Sequence, residues 1–489
     1  MSLSASLNTA VSSLATLADQ TSVLSRNVAR AGDPTASRKV AQIITVPGYG
    51  VRMAAVTRVV NEALFTSVLN NSSSAAGQRA LVEALDKLEA TINDTELDFS
   101  PAALVQKLNN ALQQYSSSPE SDAFAQSAVA AARDLANALN SATTLVQDVR
   151  SKADAEISSA VSSLNTLLSR FEAVNKQIVK GTVNGGDVTD YQDQRDALLL
   201  EISQEIGIRT IARPDGGMNI YTESGVTLFD VVPRQISFQP TPMLSPGVAG
   251  NVVYADGVPI TGSAATMGVS SGRITGLVQV RDDVGVTYQN QLDELARGLI
   301  VAFSESDQSA TPTLADAAGL FSWNGGPGLP PSGSITSGLA GTIRLNAAVD
   351  PDQGGDVKRL RDGGMNGAAY VYNSDGVAGF TGRLDSLVDQ MRASQTYSSD
   401  SKIATVATLV GFASNSAAWL EEARRSSNNE FEYRETVLGR ASESLNKITG
   451  VNLDEEMALM LELERSFQAS SKVITTIDSM LASLLAAVR

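Results

Sequence analysis

The chain contains no histidine and no cysteine among its 489 residues, and these two absences remove most familiar kinds of catalytic and metal site. Without cysteine there is no disulfide, no thiol nucleophile, no thiolate zinc site and no iron–sulfur cluster. Without histidine there is no imidazole base, no imidazole metal ligand and no triad that depends on one. Carboxylate or lysine chemistry stays open, but we expect no catalytic residue, no functional metal and no cofactor.

Positive charge and aromatic side chains are also scarce. Lys and Arg number 37 against 53 Asp and Glu, and aromatic residues make up only 5% of the chain. No basic run offers a face for phosphates, so we expect no nucleic-acid binding. The N-terminus lacks the pattern of a cleaved signal peptide, and the longest apolar stretches are too short to span a membrane. We therefore expect no membrane segment, and either a cytoplasmic location or export without a cleaved signal.

An apolar seam is present in the N-terminal segment, where apolar residues recur at alternating spacings of four and three. Such a heptad pattern predicts a helix of about 28 residues, roughly 40 Å long, which ends at Gly32-Asp33-Pro34. Its other face is polar, and no partner helix follows nearby in sequence. The seam consists of Leu3, Leu7, Ala10, Leu14, Leu17, Leu24, Val28 and Ala31, interrupted by Thr21.

The C-terminal segment carries two neighbouring apolar rows at the same spacing, which predict a helix with a broad apolar stripe. We expect the two terminal helices to pair with each other or with other subunits. The first row is Leu459, Leu463, Val473, Ile477, Met480, Leu484 and Ala487, with Ser466 and Ser470 in its gaps. The second row is Leu453, Met457, Met460, Phe467, Ile474, Leu481, Leu485 and Val488.

Between Val56 and Ile206 the apolar residues recur at three and four, which predicts a run of helices. Within this run Thr189, with Gln192 three residues later, fits a capping box. Four carboxylates step by three along the same helix start: Asp187, Asp190, Asp193 and Asp196. A calcium-binding EF-hand loop would instead alternate by two and end in a distant Glu, so we interpret these acids as a solvated helix start.

From Ile208 the apolar period changes to two, which predicts a β-rich insert to about Asp282 with Asp-Gly turns in RPDGGM and YADGVP. The string GVSSG (268–272) fits the nucleophile elbow of hydrolases, but the elbow needs a histidine, so we interpret the glycines as part of a hairpin. A helix, a Gly- and Pro-rich loop and, from Leu384 to the end, a renewed helical pattern complete the chain.

The stretch GVNLDEEM, which begins at Gly450, joins the last two predicted helices. Gly450 is placed to end the first helix, and Asn452 is placed to cap the second with Glu455 three residues later. The acids Asp454, Glu455 and Glu456 then occupy the first turn, where each contributes about 0.3–1 kcal/mol by its position near the exposed N–H groups. We interpret these acids as helix-starting residues only.

The same stretch resembles the C-terminal signature of the flagellar hook-associated protein 1 family, the junction proteins between hook and filament. The match is carried by FQASSKVITTIDSMLASLL together with Gly450, Asn452, Leu453, Asp454, Glu455 and Glu456. Further patches agree in order: SLNTAVSSLATLADQTSVLSRNVA, YQDQRDALLLEIS and SGRITGLVQVRDDV with YQNQLDELARGL. After the first patch the family pattern loses its Gly-Tyr pair but is kept at Asn27, Ala29, Ala31, Pro34, Ser37 and Arg38.

The resemblance implies a mainly α fold with a β-rich insert, in which paired N- and C-terminal coiled-coil helices join a helical bundle domain and an outer β domain. In this sequence the expected divisions are an N-terminal axial helix and loop (1–55), a helical domain (56–207), a β-rich outer domain (208–282), return helices with a loop (283–441) and a C-terminal axial helix (442–489). Because the chain is short for the family, we expect the outer domain to be reduced.

The resemblance also implies export without a cleaved signal and assembly as an extracellular ring between hook and filament. The implied partners are the hook protein, a second hook–filament junction protein, other copies of the chain and a cytoplasmic export chaperone. We expect these contacts on Leu3, Leu7, Leu14, Leu17, Leu24 and Val28, and on Leu459, Leu463, Val473, Ile477, Met480 and Leu484. Alternatives are another axial flagellar subunit (a rod or hook protein, or flagellin) and an enzyme that uses only carboxylates.

Overall fold

A helix and a hairpin form the N-terminal part of the structure, a computed structural model that describes residues 3–46, 50–92 and 99–487. Helix α1 spans Leu3–Ala29, and strands β1 (Lys39–Val46) and β2 (Gly50–Arg58) follow it. The strands pair antiparallel with a register shift between Gln42 and Ile43, and both pack against α1. The segment that follows the first helix is therefore a hairpin, where the sequence suggested a loop.

A bundle of long helices forms the body. It contains α2 (Glu62–Ile92), α3 (Pro101–Ser117), α4 (Asp122–Val183) and α5 (Thr189–Glu205). The 62-residue α4 buries Ala, Leu, Val and Ile side chains at helical spacing, and α3 and α5 pack against it. Ser100 and Ser121 cap α3 and α4 by accepting hydrogen bonds from backbone N–H groups in the first turn of each helix.

The predicted insert contains two small antiparallel sheets, which confirms a mainly α fold with a β-containing insert. One sheet has β3 (Ile208–Ala212), β4 (Met218–Thr222) and β5 (Thr227–Phe229); the other has β6 (Ile236–Ser237), β7 (Tyr254–Ala255) and β8 (Val258–Pro259). Both Asp-Gly turns are confirmed: one joins β3 to β4, and in the other Asp256 and Gly257 have φ of 51° and 80°. Helix α6 (Arg273–Gln279) starts before Asp282, so regular strands end earlier than expected.

The GVSSG string lies in the loop before α6, so the predicted hairpin at this position is wrong. The carboxylate of Glu223 accepts hydrogen bonds from the backbone N–H groups and the hydroxyls of Ser270 and Ser271. Gly272 has a φ of 98° and its N–H donates to the Ser73 carbonyl, which ties the loop to α2. The two serines therefore hold an internal carboxylate, and their role in the fold is structural.

The chain returns to the body through a π-helical turn (Val280–Val284) and α7 (Gly285–Ala302), followed by irregular segments. These segments contain β9 (Phe321–Ser322), β10 (Arg344–Leu345), α8 (Arg359–Asp362), α9 (Gly382–Arg392), β11 (Gln395–Thr396) and β12 (Val406–Ala407). The last two helices are α10 (Leu409–Thr449), which packs on α2, and α11 (Leu453–Ala487). The helical pattern expected from Leu384 to the end is interrupted at residues 393–408, which form a strand pair and turns.

Helix α7 carries a buried carboxylate whose ionisation makes the stability of the fold depend on pH. Asp293 is buried and accepts hydrogen bonds from Gln289 and from the backbone N–H groups of Gly338 and Ala340. Burial raises the pKa of Asp293 to about 6, although these donors oppose the shift. A folded-state pKa above the unfolded value of about 3.9 means that this group stabilises the fold at low pH, and that the contribution is lost as the pH rises through 6.

We expect Asp293→Asn to remove this pH-dependent loss of stability, because Asn does not ionise. Between pH 5 and 7.5 the free energy of unfolding of the variant should rise relative to that of the wild type by about 1–1.5 kcal/mol. Urea unfolding followed by circular dichroism at several pH values measures the difference, and Asp389→Asn, at an exposed position on α9, is the matched control. Parallel pH profiles for Asp293→Asn and the wild type would contradict the prediction.

Candidate assembly interface

The two terminal helices lie against each other, and α11 buries a narrow seam on one side. Leu463 and Ile477 are 8% and 6% exposed, and Met460, Ile474 and Leu481 are half-buried beside them. The seam therefore draws on both of the predicted apolar rows. Among the predicted residues of α1, Ala10 and Leu24 are buried, and five are half-buried: Leu3, Leu7, Leu14, Leu17 and Val28.

A second face of α1 packs against the hairpin and was not predicted from the sequence. Val23 and Asn27 are buried on this helix. Thr16 is also buried, and its hydroxyl donates to the Val51 carbonyl at 2.9 Å. Because two of these three residues are polar, an apolar-period search does not find them. Their spacing of seven and four is nevertheless that of a helix face, which is the signal that was available.

Most apolar residues of α11 stay exposed. We call the predicted residues Leu459, Val473, Met480 and Leu484 the open face; they are 39 to 53% exposed. Leu453, Met457, Leu461, Phe467 and Leu485 are exposed elsewhere on the helix. Val488 of the second predicted row lies outside the described residues. So much exposed apolar surface on one helix is typical of a protein-interaction site.

The motif GVNLDEEM forms the connection between α10 and α11. Gly450 follows the last residue of α10 and donates its N–H to the Asn446 carbonyl at 2.8 Å. Asn452 precedes α11, and its side-chain oxygen accepts the Asp454 N–H at 3.0 Å. Leu453 opens the helix and is exposed. Glu455 is also exposed, with its carboxylate 3.7 Å from the Arg38 guanidinium.

The third acid of this motif, Glu456, does more than start a helix, so that interpretation was incomplete. Its side chain is 1% exposed. One carboxylate oxygen accepts from Arg38 Nε at 2.6 Å, and the other accepts from the side-chain amide of Asn27 at 3.1 Å. Asn27 also exchanges two hydrogen bonds with the backbone of Lys39. Glu456 thus ties the start of α11 to the end of α1 and to the hairpin. Asn27 and Arg38 are two positions at which the sequence keeps the family pattern.

The four acids at the start of α5, which we call the acidic edge, do not form a solvated helix start as predicted. The edge consists of Asp187, Asp190, Asp193 and Asp196, and four basic residues from the N-terminal part cover it: Arg26, Arg30, Lys39 and Arg58. Thr189 is the first residue of α5, not its cap, because its N–H and its hydroxyl both donate to Asp187. Asp193 is buried at the centre of the cluster.

The pKa values of two acids in the cluster are shifted in opposite directions. Burial alone would raise the pKa of Asp190, but the hydrogen bond from Lys39 and the charges of Arg26 and Arg30 outweigh it and hold that pKa below its usual value. Burial raises the pKa of Asp196, even though Arg58 donates a hydrogen bond to it at 2.6 Å.

Within the described ranges no group of three or more His, Cys, Asp or Glu residues is arranged to hold a metal ion.

Two protein-family models match separate parts of this chain. The model described as the helical domain of flagellar hook-associated protein FlgK matches residues 85–319, which include α3 to α7. The model described as the C-terminal part of flagellar basal body rod FlgEFG proteins matches residues 446–487, which include α11. The first match covers much of the body, and the second covers the helix that carries the open face.

The similar proteins share the name flagellar hook-associated protein 1. The one from Bacillus subtilis (strain 168) is 22% identical over 469 residues, 92% of this chain and 88% of that protein. The one from Escherichia coli (strain K12) is 22% identical over 56% of this chain and 50% of its own length. A solved structure of the flagellar hook junction protein FlgK from Burkholderia pseudomallei has a TM-score of 0.43 and 17% identity, over 53% of this chain and 47% of that one.

Proposed function

We infer from the similarity of this chain to flagellar hook-associated protein 1 that it belongs to that family and is a structural subunit of the bacterial flagellum, at the junction between hook and filament. The observation that carries the inference is the order of the two family matches, helical domain then C-terminal segment, on a chain whose terminal helices pair. The open face of α11 then supplies apolar surface for neighbouring subunits.

We propose that the terminal helices form the assembly surface. The seam between α1 and α11 holds the pair together, and the open face remains free for the hook protein, for a second junction protein and for other copies of this chain in a ring. Full burial of a large apolar side chain contributes about 1.5–3 kcal/mol of transfer free energy. Because the four residues of the open face are about half exposed, their burial in subunit contacts would contribute roughly 3–6 kcal/mol toward association. Before assembly the open face would be exposed to water and prone to aggregation, and we propose that an export chaperone binds it until then.

The proposed role needs no chemistry from the chain. Ser270 and Ser271 are engaged by Glu223, and the acidic edge is neutralised by basic residues. We propose a structural protein without catalytic activity, located outside the cell in the flagellum. Within residues 3–46, 50–92 and 99–487, no helix has both the length and the apolarity that crossing a membrane requires.

A rod or hook subunit is the alternative that one observation favours. The C-terminal match is to a model of basal body rod proteins, so α11 alone does not distinguish these axial subunits from a junction protein. The match of residues 85–319 to the FlgK helical domain favours the junction.

Deletion of the gene tests the proposal. We expect electron micrographs of the deletion strain to show hooks without filaments, with flagellin released into the medium, and we expect a plasmid copy of the full chain to restore filaments. A copy that ends before Leu453 should not restore them. Loss of both hooks and filaments would indicate a rod or hook subunit instead, and filaments of normal number and length would rule out every axial role.

A further inference from the structure

The attachment of the terminal helices to the body is polar, and it centres on one carboxylate. Asp193 of α5 is 1% exposed, yet most of its partners belong to the N-terminal part of the chain. The Ser37 hydroxyl donates to it at 2.5 Å, and the Arg30 and Arg58 guanidinium groups donate at 3.1 and 3.3 Å. The ammonium group of Lys39 lies 3.7 Å away. These partners are the residue directly after α1, a residue of the following loop and one residue from each strand of the hairpin.

The rest of the acidic edge extends the same attachment toward solvent. Arg26 pairs with Asp187 at 2.9 Å, Lys39 pairs with Asp190, and Arg58 pairs with Asp196 at 2.6 Å. The carboxylate of Asp190 is half exposed and that of Asp187 is partly exposed, so water and salt weaken their pairs. Asp193 is shielded, and removal of one partner from a buried ion cluster leaves charge uncompensated. Asp193 is therefore the member whose loss has the largest effect.

A pocket beside the cluster separates the N-terminal part of the chain from the helical body, so the two parts are not closely packed against each other here. Its volume is about 360 Å³, and its walls come from the segment after α1, the exit of β2, α2, α5, the first insert sheet and the end of α10. Apolar walls such as Phe65, Leu200 and Leu445 face this space together with Asp193 and Arg58. Because this pocket opens to solvent and lies between the two parts, the parts do not pack directly against each other across it, and the polar pairs around Asp193 restrain them here.

We propose that Asp193 is a positioning residue that fixes the direction of the α1–α11 pair relative to the helical body. The polar contacts around Asp193 hold the α1–α11 pair in one direction. Without them, the neighbouring pocket would leave space for the pair to change its direction relative to the body. In the junction, this direction would decide where the open face of α11 meets a neighbouring subunit. That consequence rests on the proposed function, but the positioning itself is a property of the single chain.

Distance measurement in the isolated chain tests the proposal. The chain has no cysteine, so Gln177→Cys on α4 and Gln468→Cys on α11, both at exposed positions, give two unique sites for spin labels. In the otherwise unchanged protein we expect a narrow distribution of label-to-label distances. Asp193→Asn should shift this distribution and broaden it about twofold, as expected when one arrangement gives way to several.

Two further variants separate positioning from folding. Glu201→Gln removes the same charge from the same helix, but its partner at 3.4 Å is Arg170 on α4, so the distribution should not change. Asp193→Glu keeps the charge and should recover most of the narrow distribution. An unchanged distribution for Asp193→Asn would overturn the proposal, and so would broadening that appears only with loss of the main thermal unfolding transition. Neither result bears on the junction role, because these measurements need no assembly.

Discussion

Replacement of Val473 and Met480 by Asp is expected to abolish filament assembly while leaving the single chain folded. Both side chains belong to the open face, are about half exposed and lie on the same side of α11, two turns apart. In the single chain the new carboxylates remain in water. In a subunit contact they would forfeit about 1.5–3 kcal/mol of apolar transfer free energy, because each side chain is about half exposed, and they would add the cost of desolvating two charges. The apolar loss alone lowers subunit affinity by a factor of about 10–10², and the desolvation of the two charges lowers it further.

A matched control introduces two Asp residues in the same region of α11, but on the side of the helix opposite the open face. Thr475 and Ser479 are exposed and polar, so Thr475→Asp with Ser479→Asp should permit assembly. A third variant, Leu463→Asp with Ile477→Asp, changes the buried seam and should separate α11 from α1 even in the single chain. Limited proteolysis of purified protein should release α11 in this third variant only.

Filaments are counted by electron microscopy in the deletion strain that carries each variant. Immunoblots of the medium show whether the variant was exported, so that a defect in export is not mistaken for a defect in assembly. Normal filament numbers for Val473→Asp with Met480→Asp, in an exported protein, would mean that the open face makes no subunit contact.

The elements that were predictable from the sequence are those whose signal is local. The heptad seam around Leu14 and Leu24 predicts α1, because a helix of this length repeats its apolar face several times. The Asp256-Gly257 turn follows from two residues that tolerate positive φ. The hairpin of β1 and β2 was missed, although Val40, Ile43 and Ile44 favour strands, because neither strand alternates regularly between buried and exposed residues.

The ion cluster was not predictable, because its partners are far apart in sequence. Arg30 and Asp193 are 163 residues apart, and Arg38 and Glu456 are 418 residues apart. From the sequence alone, the acids of the acidic edge were interpreted as a solvated helix start, because nothing near them in sequence shows that basic residues cover them. Only the fold shows the four basic residues that neutralise the acidic edge.

The sequence alone also does not show which apolar residues of α11 are buried against α1. The sequence predicts a stripe too broad for one partner, and the structure places Leu463 and Ile477 in the seam while Val473 and Met480 stay exposed. The period alone does not decide which row meets α1, because both rows have heptad spacing. The position of Glu456, held by Arg38 and Asn27, fixes the rotation of the helix at its start.

Replacement of Gly276 by Ala is expected to destabilise the body strongly. Helices α2 and α6 approach so closely that a Cβ atom on Gly276 would overlap the backbone carbonyl oxygen of Gly77. Backbone atoms cannot rotate away as a side chain does, so the two helices must separate within a packed core. Overpacking of this kind costs about 1–3 kcal/mol or more, and we expect a net loss even after the gain of about 0.8–1 kcal/mol that Ala brings to a helix.

The same substitution at Gly439 is the matched control, because an added Cβ would meet no heavy atom within 4 Å at this exposed position of α10. Gly439→Ala should therefore raise the free energy of unfolding by about 0.5–1 kcal/mol through helix propensity alone. Urea unfolding followed by circular dichroism compares both variants with the wild type. Opposite signs are expected for one chemical change on two helices; if Gly276→Ala is as stable as Gly439→Ala, the close contact of α2 and α6 does not exist in solution.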